Sequence, residues 1–215
     1  PDGFPDGKKL YQFEVQLMPG ENRMTALATS RTGIDSHEDE VIVSSKAEAS
    51  RNANLYLLSV GINEYKNSEF NLNLAVSDAE SFADAITGGG AALYSDVHEK
   101  RLMNSAVTRD ALNAALDEIL KNAQPPDMVV VYIAGHGIIA GGGWFFLTHE
   151  TLKTDTQYIR DNAFSEREMK AFLKKLPARK VVLVLDACQS GGIAMNMSRG
   201  LEKEKILGEL ARTTG

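Results

Sequence analysis

The chain holds a single cysteine, Cys188, within Asp186-Ala187-Cys188-Gln189-Ser190-Gly191, and one histidine, His136, framed by glycines in Ala134-Gly135-His136-Gly137. A thiol and an imidazole suffice for nucleophilic attack on an amide. The imidazole takes the thiol proton, the thiolate attacks the carbonyl carbon, and the imidazolium then protonates the leaving nitrogen. A lone cysteine is by default a small buried hydrophobe, so its setting decides. The apolar run Lys180 to Leu185 leads into Cys188, and a matching run, Met128 to Ala134, leads into His136. The Gly137 N–H carries no shielding side chain, so it and the Cys188 N–H are the natural donors to an oxyanion. Gly191 and Gly192 let the chain turn sharply beyond the thiol.

The pair must be held by the surrounding elements, and residues 55–215 alternate strand and helix patterns. Leu55 to Ile62, Met128 to Ala134 and Lys180 to Leu185 read as buried strands, and Val97 to Leu102 as a poorer one. Ala75 to Ile86 has helical spacing, and the glycines at 88–90 are expected to stop it. Val107 to Ala123 reads as a helix with Thr108 as N-cap. Gly141-Gly142-Gly143 before Trp144 to Leu147 predicts a hairpin. Ser165 and Glu168 form a capping box for a helix that Pro177 ends. Strands apolar on both faces, alternating with amphipathic helices, predict an α/β fold with a mostly parallel sheet covered on both sides. Such sheets collect their functional groups at the carboxyl ends of the strands, where Gly61, His136 and Asp186 to Cys188 fall. Residues 1–50 read instead as a β-rich segment and linker, preceding the main domain at 51–215. Alternation over Tyr11, Phe13, Val15 and Leu17 predicts one strand, Arg23 to Ser30 a second and Glu40 to Val43 a third, with a polar linker from Ser44 to Asn54.

Ala134-Gly135-His136-Gly137 and Asp186-Ala187-Cys188-Gln189-Ser190-Gly191, spaced by about 50 residues, resemble the caspase-like cysteine peptidases, in particular the metacaspase-like members of prokaryotic type. The resemblance spans roughly residues 55–215 and implies a three-layer caspase-like fold, with Cys188 as nucleophile, His136 as acid/base, and Gly137 and Cys188 in the oxyanion hole. True caspases carry Gln two residues before the cysteine, where this chain has Asp186, as metacaspases do. The family's second acidic position matches Asp78. Two carboxylates imply a pocket for arginine, or lysine, at P1, the residue whose carbonyl is attacked, with arginine preferred because its planar fork bonds both. The other readings are a first-turn acid stabilised by the helix dipole for Asp78 and a capping role for Asp186. The resemblance also implies a regulated proteolytic response, in cell death or antiphage defence, and a cytoplasmic setting.

The rest of the sequence narrows the classes. Lysine and arginine total 23 against 29 acidic residues, a net charge of −6, with no basic-aromatic patch for nucleic acid. No apolar stretch is long enough for a membrane helix. One cysteine excludes an internal disulfide framework and a multi-thiolate zinc site. The glycine triplets lack a phosphate-loop lysine. No cofactor or metal is expected: His37, His98 and His149 lack ligand spacing, and Glu150, Asp155 and Asp161, where some metacaspases hold calcium, read as a solvated loop. The chain begins at Pro1 and extends 27 residues past Cys188, which reads as a processed large subunit that needs a separate C-terminal small-subunit chain to complete sheet and pocket. Ile206 to Leu210 reads as a helix, and Arg199, Lys203, Lys205 and Arg212 are candidate self-cleavage sites. Two alternatives stand beside the peptidase reading: a catalytically silent caspase-like interaction module, and a CHAT or separase-like peptidase.

Overall fold

Met128 to Ala134 is too apolar to face water on either side, and it becomes an interior strand of a parallel sheet. In the computed structural model, which describes residues 11–15, 17, 20–30, 34–46 and 53–187, the elements run β1 (Gly20–Ala26), β2 (Asp39–Ser45), β3 (Leu55–Gly61), α1 (Ala75–Gly90), β4 (Val97–Met103), α2 (Arg109–Asn122), β5 (Met128–Ala134), β6 (Gly137–Ala140), β7 (Gly143–Phe146), α3 (Thr156–Asn162), β8 (Phe164–Ser165), α4 (Glu166–Lys175) and β9 (Lys180–Asp186). The chain divides into two units, Pro1–Ser50 and Arg51–Gly215.

In the first unit β1 and β2 pair antiparallel from Gly20↔Ser45 to Ala26↔Asp39. The alternation at 11–17 does not become a strand in its described residues. Tyr11 and Phe13 are 69% and 81% exposed, so the alternating side chains have no buried face to fix them as strand. The second and third expected strands shift to Gly20–Ala26 and Asp39–Ser45, so Ser44 and Ser45 belong to β2 and not to a linker.

In the second unit the four parallel strands lie in the order β4-β3-β5-β9. Their registers are flush at the carboxyl end: Gly61 pairs with Ala134, and Ala134 with Asp186. Alternate residues serve opposite faces. Tyr56, Leu58, Val60, Val129, Val131 and Ile133 pack into the core that holds α2 and α4. Leu55, Leu57 and Val130 face Ala83 of α1, and Tyr132 and Ala134 face its Ala75 and Ala79. The result is helix, sheet, helix. The edge strand β4 exposes His98, Glu99, Lys100 and Arg101, which explains its weak apolar signal. A second small sheet, β6-β7-β8, carries the chain from His136 back toward β9.

Local chemistry sets the element ends. The Thr108 side chain accepts from the Ala111 N–H at the start of α2. Ser165 and Glu168 complete the capping box of α4, whose C-cap Leu176 precedes Pro177. Gly141 and Gly142, at φ +57° and +77°, form the two-residue turn between β6 and β7, the left-handed pair a tight hairpin needs. The glycines at 88–90 do not stop α1, which runs on to Gly90. Ala75, Ala79, Ala83 and Gly90 are its buried residues. A Cβ at Gly90 would lie 2.6 Å from Leu55 Cδ2, so glycine lets the last turn rest on β3. Packing therefore outweighs helix propensity there.

Candidate active site

The chain leaves β5 at Ala134 and turns at once into the β6–β7 hairpin, which places His136 at the carboxyl edge of the sheet. Two hydrogen bonds fix the turn: the Gly135 N–H donates to the Asp186 carbonyl at 3.2 Å, and the His136 N–H to Tyr65 Oη at 3.0 Å. The first ties the histidine turn to the last residue of β9, two positions before Cys188. Gly135 has φ +154°, and a Cβ there would lie 2.9 Å from Phe146 and 3.0 Å from Tyr65 Oη.

The His136 ring is buried, and its Nε2 lies 2.8 Å from the Phe70 carbonyl. A carbonyl only accepts, so Nε2 carries the hydrogen and the neutral ring keeps its lone pair on Nδ1. Burial holds the imidazole below its ordinary pKa of 6.5, with the Phe70 bond acting in the opposite direction. The ring is thus set to be a neutral base near pH 7.

Gly137 opens β6. The Leu147 N–H donates to the His136 carbonyl, so the next pair in the ladder, Gly137 with Phe146, is a non-hydrogen-bonded pair. The Gly137 N–H consequently points away from β7. A Cβ on this residue would lie 2.7 Å from Trp144 Nε1 and 3.1 Å from the Ala187 carbonyl, which shows how closely β6 approaches the end of β9.

Beside the histidine lies an open cleft of about 310 Å³, lined by Leu72, Asn73, Leu74, Ala75, Asp78, Ala134, Gly135, His136 and Asp186. Asp78 is in the first turn of α1, and Asp186 ends β9. The two carboxylates come together because Gly61 lets α1 descend onto the end of β3: a Cβ there would meet the Ala75 carbonyl at 2.6 Å and Ala79 Cβ at 2.9 Å. The buried Ser59 hydroxyl donates to the Ala79 carbonyl at 2.7 Å and fixes the same approach. No lysine or arginine lines the cleft, and among the described residues neither Asp78 nor Asp186 is in a salt bridge.

Four of the residues singled out in the sequence (His136, Gly137, Asp78 and Asp186) thus meet at one edge. Cys188, Gly191, Gly192, the expected helix at 206–210 and the four candidate self-cleavage residues lie outside the described residues. The remaining candidates are engaged elsewhere. His98 stacks on Tyr56 with ring centroids 4.6 Å apart, and His149 Nδ1 donates to the Glu64 carbonyl at 2.6 Å. Glu150 pairs with Lys66, and the Asp161 carboxylate accepts from Gln157. Asp155 caps α3 by accepting from the Tyr158 N–H. The segment expected as a solvated loop therefore contains a short helix. At seven residues, α3 is too short to show a helical period.

Sequence reasoning missed the supporting residues. The loop between β3 and α1, which brings the Phe70 carbonyl to His136, is held by asparagines. Asn104, at φ +47°, accepts from the Asn63 and Glu64 N–H groups. Asn71 accepts from the Tyr65 N–H, Asn63 from Val76 and Asn67 from Glu69. Four asparagines at 63, 67, 71 and 73 were the available signal, since asparagine side chains satisfy turn N–H groups. Tyr132 was also missed. It is buried within β5, and its hydroxyl donates to Asp186 Oδ2 at 2.9 Å. Its phenol tip was the one polar atom in an otherwise apolar strand.

The caspase domain family model, peptidase C14, matches residues 56–209. No curated protein matches the chain. Among solved structures, protein GSU0716 from Geobacter sulfurreducens superposes with a TM-score of 0.50 at 19% identity, over 74% of this chain and 64% of that one, so the likeness is one of fold. This chain spans less than two thirds of that protein's length. With a parallel sheet between helices, a histidine at its carboxyl edge and a family match over most of the chain, the protein belongs to the caspase-domain family of cysteine peptidases.

Proposed function

We propose that the protein is an endopeptidase with a Cys188–His136 dyad that cleaves after arginine, and less readily after lysine. The observation that carries the specificity is the cleft beside His136, in which Asp78 and Asp186 stand without a cationic partner among the described residues. Two carboxylates held together without a counter-ion favour binding of a cation. A guanidinium, with five donors in a planar fork, suits two separated acceptors better than an ammonium does.

The dyad reading is supported by the His136 tautomer. Nδ1 of the neutral ring accepts the thiol proton of Cys188, and the thiolate sulfur bonds to the substrate carbonyl carbon. The C–N bond then breaks as the imidazolium returns the proton to the amine, and water hydrolyses the thioester. In this reading the Gly137 N–H, directed away from β7, serves the oxyanion, a contribution of about 100–1,000-fold in rate. Binding of a separate small-subunit chain belongs to the same proposal. β9 carries no hydrogen-bonded neighbour on its outer side among the described residues, and its Val182 is 40% exposed where β3 and β5 are almost wholly buried. The cleavage is assigned to a regulated proteolytic response of the cell-death or defence type on the resemblance alone.

The test is P1 profiling with a peptide-amide library, with and without added small-subunit sequence, on the wild type and on Cys188→Ala, Asp78→Asn and Asp186→Asn. Loss of all cleavage in Cys188→Ala, and loss of basic P1 preference in the two asparagine variants, is expected. A wild-type preference for aspartate overturns the pocket, and activity retained in Cys188→Ala overturns the dyad.

A further inference from the structure

Tyr132 stands below the carboxylate cleft in a position that the reaction itself does not require. It is only 6% exposed, its ring stacks on Phe82 of α1 with centroids 4.4 Å apart and planes 19° apart, and its hydroxyl donates to Asp186 Oδ2 at 2.9 Å. The ring is therefore packed against the helix that also carries Asp78. We infer that Tyr132 is a specificity-determining residue, which commits one oxygen of Asp186 from beneath and so biases the cleft toward arginine over lysine. The inference rests on the reading of this cleft as the P1 pocket.

A carboxylate has two oxygens and about four acceptor sites. Tyr132 occupies Oδ2, so the acceptors left for a bound cation are chiefly Asp186 Oδ1 and the carboxylate of Asp78, on a different element. Acceptors set apart in this way match the spread donors of a guanidinium. A lysine ammonium is a compact, strongly hydrated point charge, and it gains most where several acceptors converge on one point. Burial, the bond to Asp186 and the charges of Asp186 and Asp78 all push the Tyr132 phenol above its ordinary pKa, so it remains a donor throughout the working pH range. Orienting a carboxylate from behind also removes its rotational freedom, which lowers the ordering cost when a ligand binds.

The experiment measures covalent labelling rates of the intact protein by arginyl, lysyl and aspartyl chloromethylketones of otherwise identical sequence, for wild type, Tyr132→Phe and Tyr132→Leu. Tyr132→Phe keeps the stack on Phe82 and removes only the hydroxyl. Tyr132→Leu removes hydroxyl and ring, and gives a second reading should the first variant fold poorly. The wild type is expected to favour the arginyl reagent over the lysyl one. In both variants that ratio should fall about tenfold, because the freed Oδ2 offers a lysyl ammonium one more hydrogen bond to a charged group. A merely structural role for Tyr132 would slow both reagents alike and leave the ratio unmoved, and a ratio within twofold of wild type overturns the inference while the cleft reading stands. A wild type labelled best by the aspartyl reagent overturns the cleft reading itself.

Discussion

Adding one methyl group at Gly137 should disable the site while leaving the rest of the fold in place. In Gly137→Ala the new Cβ would lie 2.7 Å from Trp144 Nε1 and 3.1 Å from both the Ala187 carbonyl and Trp144 Cε2. Ordinary contact begins at 3.4 Å, so the gap to the indole must open by about 0.7 Å. The indole is buried between β6 and its neighbours and stacks near Phe146, so it yields little. The alternative is that β6 moves away from the end of β9, which separates Gly137 from the Ala187 carbonyl. Overpacking of this kind costs about 1–3 kcal/mol in stability, and misplacing a reacting group by about 1 Å costs about 100-fold in rate. Urea denaturation and turnover of an arginine-amide peptide measure the two effects. Gly143→Ala, in the same hairpin, meets only Phe145 at 3.5 Å and should change neither. Pairing Gly137→Ala with Trp144→Phe shortens the obstructing ring and should recover most of the lost stability. Wild-type stability and turnover in Gly137→Ala would refute the close approach of β6 to β9 on which the site is built.

Three further outcomes follow from other parts of the structure. With burial lowering the His136 pKa, the unfolded chain binds more protons than the folded one as pH falls below 6.5, so folding stability should drop in that range; an NMR titration of His136 in Cys188→Ala should give a midpoint below 6.5, and a midpoint above it would contradict the burial argument. For Glu168, burial alone would raise the pKa, but hydrogen bonds from Arg109, Ser165 and Asn113 bring it down to about 2. Its stabilising contribution is therefore complete above the ordinary value of 4.5 and lost as pH falls from there toward 2. Glu168→Gln should cost about 2 kcal/mol at pH 7, with the gap to wild type closing over that acid range in denaturant melts. Gly88→Ala should stabilise the protein by about 0.5–1 kcal/mol, because a Cβ there meets nothing within 4 Å on a helix that already continues past it; a lower melting temperature would show that the end of α1 is not helical in solution.

What the sequence revealed of this site followed from period and position. The runs at 55–62, 128–134 and 180–185 could be read because interior strands of a parallel sheet are apolar on both faces, and their carboxyl ends then located Gly61, His136 and Asp186. β4 was harder to read because an edge strand keeps charged side chains in water. The glycines at 88–90 misled because the cost of glycine in a helix is local, whereas the contact of Gly90 with Leu55 joins residues far apart in sequence. The support of His136 was invisible for another reason. Phe70 acts through its backbone carbonyl, which every residue type possesses, so no side chain at position 70 announces it. Tyr132 joins Asp186 across a distance of 54 residues, and only the register of β5 on β9 makes that pair.

The flush register of β3, β5 and β9 also constrains how the gene can drift. Losing one codon within β9 would carry Asp186 about 3.3 Å along the sheet and turn its side chain to the other face, away from Asp78 and Tyr132. Each of these strands therefore acts as a ruler whose seven residues are counted. Length variation among descendants of this chain should be confined to places that measure nothing, such as the Gly141-Gly142 hairpin tip or the connection from β7 to α3.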